Sequence, residues 1–357
     1  MALPFFSSGT RKRDQIVAID LGGRITKAVH IQRNGDAFVL LRYALLDAPL
    51  YEKHLSSEMV TEHLKSISQT LAANTKLVTL ALGVNDSIVR HAEMPRVPVG
   101  DMRQILKNNT KNYLQQDLAS HIFDCYIVSI PETPGPPEGA RTASVATKLK
   151  VLVGGARRQL VEDLQAAVKD ASLVVEQIVP GLIGPVNAFE LAMPDVFSRE
   201  VVALVDIGFK NSTICILQAG DLILSRVVGI GGDALTSGLA ESLKITYAEA
   251  EGIKVGMPTE VQSNLESVLL PLGRELRASI DFFEHQQDKT VSRVFISGGS
   301  ARSDFIVQSL EAELLVPCSR WNPTSFLRLS LPPQQMAEAE QVAPQLTVAV
   351  GTAVAAF

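Results

Sequence analysis

Residues 15–20 read QIVAID and run straight into Leu21-Gly22-Gly23, and residues 201–206 read VVALVD and run into Ile207-Gly208. Each is a short β-branched run that stops on an acid just before a glycine, a pattern that predicts a buried strand ending in a tight turn. After the first, residues 25–32 (ITKAVHIQ) alternate as a second strand, Asn34-Gly35 carries hairpin-turn chemistry, and residues 37–42 predict a third strand. After the second come 213–218 (TICILQ), a turn at Gly220-Asp221 and a strand over 222–228. Asp20 precedes its turn glycine by 15 residues and Asp206 by 14, and the two acids stand 186 apart in a chain of 357. Two meanders of one layout, half a chain apart, predict two related α/β lobes facing each other.

Each meander carries the same chemistry. A strand ending Asp-x-Gly and folding back lets backbone N–H groups approach a phosphate, because glycine puts no Cβ in the way. The aspartate at the strand end can hold Mg²⁺, usually through that ion's own waters. A third glycine site follows the strand predicted at 291–297 (VSRVFIS), where Gly298-Gly299-Ser300 leads into a helix. A helix N-terminus reached through glycines suits a flat ring or an anion. This cluster is not GxGxxG, so a dinucleotide fold is not indicated.

Between the second meander and that third site the chain is mostly helical. Gly231 and Gly232 precede an amphipathic helix with Leu235, Leu239 and Leu243 on one face and Asp233 as its expected N-cap. Thr246 and Glu249 have the spacing of a capping box, and Glu251 and Lys254 share a face of the helix that follows. Residues 261–285 predict more helix, broken near Pro271 and Gly273. About ninety residues, from the strand at 77–82 to the neighbourhood of Ser172, belong to neither repeat. They predict a helix (101–116), a strand (123–130), a Pro/Gly-rich hairpin tip (131–139), a strand (148–154) and a helix (157–170), a small α+β insert.

Composition narrows the function classes. With 33 basic against 38 acidic residues the net charge is −5, so no basic surplus recommends nucleic acid. Cys125, Cys215 and Cys318 are odd in number and lack CxxC spacing, which predicts thiols of a reducing compartment. The six histidines show no metal-ligand spacing, and no G-x-S-x-G or Cys/His arrangement nominates a nucleophile. No window approaches the ~18 apolar residues of a spanning helix, and the run at 346–357 is short enough to be a buried helix. The basic cluster Arg11-Lys12-Arg13 follows the apolar start, the reverse of a secretory signal, so the expected location is cytoplasmic. Trp321, beside Asn322-Pro323, is expected to pack.

The three glycine sites in this order resemble the actin-like ATPase superfamily, and within it the chain is similar to the PilM family of type IV pilus assembly proteins and its cell-division relative FtsA. Residues 230–236 (IGGDALT), 248–254 (AEAEGIK), 187–190 (NAFE) and Ala349-x-Gly351-x-Ala353 carry the likeness, with the basic tail and the middle segment. The resemblance implies an α/β actin-like ATPase fold: two related lobes of mixed sheet flanked by helices, with a small α+β insert subdomain. It implies a tail at 1–13, a first lobe from 14–85, 172–199 and 340–357, an insert at 86–171, and a second lobe at 200–339 whose helical part spans about 240–290.

For the site the resemblance implies ATP and Mg²⁺. Asp20 and Asp206 would organise the metal, through water. Gly22, Gly23 and Lys27 would line the phosphates, facing Gly208, Ser212 and Thr213. Gly231 and Gly232 would join the nucleotide site, Glu251 and Lys254 would hold ribose and adenine, and Gly298, Gly299 and Ser300 would back the base. Two departures stand out. The family's hydroxyl run after the first Asp-x-Gly is Gly23-Arg24-Ile25 here, leaving Arg24 as a charged donor. In 179–185 (VPGLIGP) the family's acid is replaced by Pro180, which cannot act as general base, so turnover is expected to be slow or absent.

The resemblance further implies a scaffold for type IV pilus or related secretion assembly that binds the N-terminal cytoplasmic peptide of a PilN-like inner-membrane protein through the insert. Other pilus-machine components are expected partners, with a homo-oligomer as an option and any membrane contact peripheral. An FtsA-like polymerising division protein is the alternative, opposed by the small-residue run TVAVGTAVAAF in place of an amphipathic helix. A sugar or acetate-type kinase is the other alternative, and it lacks an acid near 179–185.

Overall fold

The computed structural model describes residues 14–49, 56–129, 148–256 and 261–357. The first meander is β1 (Gln15–Asp20), β2 (Ile25–Asn34) and β3 (Ala37–Asp47), with Gly35 at φ +64° in the β2–β3 turn. Helix α1 (Ser57–Leu71), N-capped by the Ser56 hydroxyl, leads to β4 (Leu77–Leu82). The insert follows as β5 (Ser87–Met94), α2 (Val99–Asn108), α3 (Thr110–Leu114), β6 (His121–Ser129) and β7 (Leu149–Arg157). Then come α4 (Arg158–Asp170), β8 (Val174–Pro180), α5 (Gly184–Ala192) and α6 (Pro194–Arg199).

The second meander is β9 (Val201–Ile207), β10 (Ser212–Gln218) and β11 (Asp221–Val228). It continues through α7 (Gly232–Leu243), α8 (Tyr247–Gly256), α9 (Gln262–Gln287), β12 (Arg293–Ser297), α10 (Asp304–Leu314) and β13 (Cys318–Arg320). The chain ends in β14 (Arg328–Leu329), α11 (Pro333–Val342) and α12 (Thr347–Val354).

The repeat is visible in the strand order. One sheet runs β14-β3-β2-β1-β4-β8 and the other β11-β10-β9-β12-β13, so five strands follow the same path in both, antiparallel in the meander and parallel beyond it. The outer face of the first sheet is covered by α1 and α4, through Leu64, Ile67, Leu164 and Val168. The outer face of the second is covered by α9 and α10, through Leu272, Leu276, Ile306 and Leu310. Their inner faces share one core: Ile16, Val29, Val202 and Leu217 pack in the same cluster as Phe189 of α5 and Ala349 and Ala353 of α12. Trp321 packs there edge-on to Phe189, with ring centroids 5.1 Å apart, as expected.

Helices α5 and α12 cross at two glycines. A Cβ on Gly351 would fall on the Gly184 carbonyl oxygen, and one on Gly184 would lie 2.7 Å from the Val348 carbonyl oxygen. Side-chain-free contact lets the backbones touch, and the Asn187 amide donates to the Gly351 carbonyl at 3.4 Å.

Several expectations are corrected. Helix α4 packs with α1 against the first sheet, so the insert's own core ends with β7 and not at residue 171. Strand β14 pairs with β3, and Gln335 bonds both the N–H and the carbonyl of Tyr43, so the chain re-enters the first lobe well before residue 340. The helix expected over 101–116 divides at Asn109, whose backbone (φ −139°, ψ 42°) leaves the helical region. The second hairpin turns at Ala219 (φ +49°) and Gly220 (φ +89°), leaving Asp221 to open β11. Pro271 lies inside an unbroken α9, and Gly273 packs against Glu313. Gly231, not Asp233, is the N-cap of α7, because the Asp233 carboxylate is taken by Lys210 and Tyr247. The tail at 1–13 and the hairpin tip at 131–139 lie outside the described residues.

Overpacking a tight contact typically destabilises by about 1–3 kcal/mol. Gly351→Ala is expected to lose at least that much in urea unfolding. Gly252→Ala, where a Cβ would meet nothing within 4 Å on the exposed side of α8, is expected to gain up to about 1 kcal/mol from helix propensity.

Candidate functional site

Strand register builds the site. In the first meander Asp20 pairs with Lys27, and in the second Asp206 pairs with Thr213. The parallel neighbour of Asp20 is Ala81 and that of Asp206 is Ser297. The same geometry therefore surrounds the two acids with different chemistry. Lys27 Nζ donates to Asp20 Oδ2 at 2.9 Å. Burial works to lower the Lys27 ammonium, but the Asp20 charge and hydrogen bond, with Asp206 further off, outweigh it and hold the pKa above its usual value.

Asp206 receives a hydroxyl, Ser297 Oγ donating to its Oδ1 at 2.8 Å. Burial, with a smaller push from Asp20, raises the Asp206 carboxyl above the usual range, against the Ser297 hydrogen bond and the Lys27 charge. The two strand-end acids and Lys27 thus act on one another across the gap between lobes.

The loops after the acids are held by backbone. Gly22 N–H bonds back to the Asp20 carbonyl at 2.9 Å. Gly208 N–H bonds to Asn211 O, and its own carbonyl accepts from Gly232 N–H at 2.9 Å, which ties the β9–β10 loop to the start of α7 and brings Gly231 in beside it. Gly298 has φ +94° and lies where a Cβ would stand 2.7 Å from Ile207 N. Its N–H donates to Pro344 O at 2.8 Å, linking the third glycine site to the turn that starts α12. Ser300 Oγ faces Gly232. Ser212 is fully buried, and its hydroxyl donates to Ile230 O at 2.7 Å, so it braces the loop; Thr213 is buried beside Asp206.

Glu251 and Lys254 form the expected i,i+3 pair at 2.8 Å. Lys254 is buried, and its Nζ also reaches Thr236 Oγ1 at 2.7 Å and the Gly232 carbonyl at 3.2 Å. Thr236 Oγ1 lies 2.5 Å from Glu251 Oε2. Partial burial acts to raise the Glu251 carboxyl, but the hydrogen bonds from Lys254 and Thr236, with the charges of Lys254 and Arg24, bring it below its usual value. From the first lobe Arg24 Nη1 reaches Glu251 Oε1 at 3.3 Å, and its guanidinium stands 5.4 Å over the Phe209 ring.

The expected residues thus lie near the strand-end loops of the two lobes, Asp20, Gly22, Gly23 and Lys27 on one and the rest on the other, with Ser212 fully buried behind its loop. Sequence reasoning did not single out Phe209, Lys210 or Thr236; the aromatic-basic pair following Gly208 was the available signal for the first two.

The arrangement can be tested for fit. A Cβ on Gly299 would meet nothing within 4 Å, so this glycine borders open space, whereas one on Gly23 would make ordinary contact with Lys210 and Phe209 side-chain atoms at 3.8–4.0 Å. Backbone edges, Lys27 and the open space beside Gly299 suit a phosphorylated nucleoside. Among the described residues no group of three or more His, Cys, Asp or Glu could hold a metal. Two carboxylates, one already bonded to Lys27, fit a cation only at one remove through its waters. All three cysteines are free, and burial pushes each thiol up to about 12.

A second concavity of about 600 Å³ lies where the insert meets the first lobe, lined by Asp86, Ser87, Gln116, Asp117, His121 and Arg157 among others.

Removing a partner from a buried ion pair costs about 3–5 kcal/mol, less where, as here, Glu251 remains partly solvated. Lys254→Met is therefore expected to destabilise the chain by about 2–3 kcal/mol at pH 7. Because the Glu251 pKa is depressed, the stability it supplies is present above the ordinary carboxylate range and is lost as pH falls through its folded value. The gap between wild type and variant in urea unfolding should accordingly narrow below about pH 4.

Comparison with known proteins adds the following. The family model of the type IV pilus assembly protein PilM matches residues 18–357. The cell division protein FtsA of Bacillus subtilis is 40% identical over 53 residues, which are 15% of this chain and 12% of that protein. Among solved structures, the PilM-PilN type IV pilus biogenesis complex superposes with a TM-score of 0.81 at 19% identity, covering 97% of this chain and 99% of the other. The ethanolamine utilization protein EutJ of Carboxydothermus hydrogenoformans gives 0.55 at 16% identity over 98% and 92%. MreB 5 of Spiroplasma citri bound to AMPPNP gives 0.52 at 11% over 97% and 96%. The fold is that of the actin-like ATPases, as the resemblance implied. The chain belongs to the PilM family of type IV pilus assembly proteins.

Proposed function

We propose that this PilM-family chain is an ATP-binding scaffold of a type IV pilus or related secretion machine, which captures a short cytoplasmic peptide of an inner-membrane partner. The observation that carries the nucleotide half is the register that sets Asp20 beside Lys27 and Asp206 beside Ser297 at facing strand ends, each followed by a glycine loop. In this reading Lys27 and the loops at Gly22, Gly23 and Gly208 hold the phosphates, and Gly298, Gly299 and Ser300 back the base. Glu251 and Lys254 serve the ribose and adenine. Mg²⁺, where bound, would shield phosphate charge, held through water by Asp20 and Asp206.

Hydrolysis is not part of the proposed role. Pro180 closes β8 opposite Leu82, and residues 179–185 contain no acid to activate a water. ATP then acts by its differential affinity for open and closed arrangements of the lobes.

The partner half draws on the likeness to a PilM-PilN complex and on the concavity between insert and first lobe. Asp86, Asp117, His121 and Arg157 there offer charged and hydrogen-bonding groups that an extended peptide needs. The insert also touches the second lobe, His91 of β5 lying 2.7 Å from the Leu222 carbonyl of β11, so movement between lobes would be felt at the concavity. Among the described residues no helix is long and apolar enough to cross a membrane, and the proposed route to the inner membrane is the partner.

Two substitutions separate the halves. Asp20→Ala should weaken Mg-ATP binding at least tenfold by calorimetry and leave the affinity for a PilN-like N-terminal peptide, read by fluorescence anisotropy without nucleotide, unchanged. Arg157→Ala should do the reverse. Normal peptide binding by Arg157→Ala would remove the concavity from the proposal.

A further inference from the structure

The site leaves one cation unexplained. Arg24 sits in the β1–β2 loop with its backbone fixed, its carbonyl accepting from Ala48 N–H at 2.8 Å, yet its side chain points across the gap to the second lobe. What it meets there is already assembled. Tyr247 OH donates to Asp233 Oδ1 at 2.9 Å, and Lys210 Nζ bonds Asp233 Oδ2 at 2.6 Å. Lys210 in turn stands 5.2 Å over the Phe209 ring. Glu251 is fixed through one carboxylate oxygen by Lys254 and Thr236, which leaves its other oxygen for Arg24. An aromatic face and a pre-oriented carboxylate on one lobe form a receptor shaped for a planar guanidinium from the other.

We propose that Arg24 is a latch that holds the two lobes together over the mouth of the cleft through Phe209 and Glu251, and that a nucleotide entering the cleft must displace it. This rests on the nucleotide reading above, in which Glu251 and Lys254 serve the ribose and adenine; with Oε2 held by Lys254 and Thr236, the oxygen left for a ligand is Oε1, which Arg24 occupies. The released guanidinium then stands beside the phosphate loop at Gly22 and Gly23, where a charged donor suits the incoming phosphates. The latch is weak by construction. The Arg24 side chain is 43% exposed, and an exposed ion pair together with one cation–π contact shifts an equilibrium by about three- to thirtyfold. That is enough to bias the closed arrangement and small enough for a ligand to overcome.

The test places dyes at Gln69→Cys on α1 and Ala312→Cys on α10, both exposed and on opposite lobes, in a chain with Cys125 and Cys318 replaced by serine. Single-molecule energy transfer without nucleotide should show Arg24→Ala raising the open-to-closed ratio about three- to thirtyfold. Arg24→Lys should fall between, since an ammonium keeps the charge and loses the planar stack. Raising salt to about 1 M should open the wild type and leave Arg24→Ala unmoved. Stopped-flow mixing with ATP should then show faster association for Arg24→Ala. Identical distance distributions for wild type and Arg24→Ala without nucleotide would overturn the latch. Different distributions with no ATP binding to either chain would keep the latch and discard the nucleotide reading. Different distributions with equal association rates would overturn displacement by the ligand.

Discussion

Two helices can pass this closely only because neither has a side chain at the crossing. Gly184 of α5 and Gly351 of α12 bring backbone against backbone, and Val348 fills the space alongside. That contact lets both helices sit between the sheets and serve one core, so Ile16 and Val29 from one lobe share neighbours with Val202 and Leu217 from the other. Because the inner faces are buried on common helices, the ends of β1 and β9 face each other above them, and the cleft follows. The bond from Gly298 N–H to Pro344 O carries the same constraint up to the third glycine site.

Charge does the rest. The duplicated register puts Asp20 and Asp206 in equivalent places, but their neighbours have diverged: Lys27 against Thr213, Ala81 against Ser297. Asp20 thereby gains a resident counter-ion, while Asp206 must make do with a hydroxyl and a distant lysine in a buried setting. A carboxyl kept above its ordinary range by burial weakens the fold at neutral pH, and such groups concentrate at functional sites. Around the rim the opposite holds, with Lys254, Thr236 and Glu251 on one side and Lys210, Asp233 and Tyr247 on the other each satisfying the others.

Much of this was legible in the sequence, since the deciding signals were local. Two β-branched runs ending in Asp, a glycine hairpin between β2 and β3 and the capping box at Thr246/Glu249 each rest on chemistry within a few residues. The two-residue hairpin turn is Gly35-Asp36 and not the expected Asn34-Gly35, because Asn34 still pairs with Ala37. What escaped depended on distant neighbours. That α4 covers the first sheet, that β14 returns to β3, and that α9 runs unbroken through Pro271 are decided by packing partners far along the chain. Asp233 had the credentials of an N-cap, and only the folded chain shows Lys210 and Tyr247 claiming it. The role of Phe209 was hidden for the same reason, because Arg24 approaches it from 185 residues away.

The central claim is that the buried acid at the end of β9 is kept for a ligand and not for stability. Calorimetric titration of the wild type and Asp206→Asn with ATP in the presence of Mg²⁺ tests it most directly, with a thermal melt of each. The raised Asp206 pKa means that its ionised form opposes folding above the ordinary carboxylate range, so the amide relieves that penalty at pH 7. The account predicts one ATP per wild-type chain, at least tenfold weaker binding by Asp206→Asn, and a melting temperature that does not fall. A variant that binds ATP as tightly as the wild type, or a wild type that binds none, would contradict it.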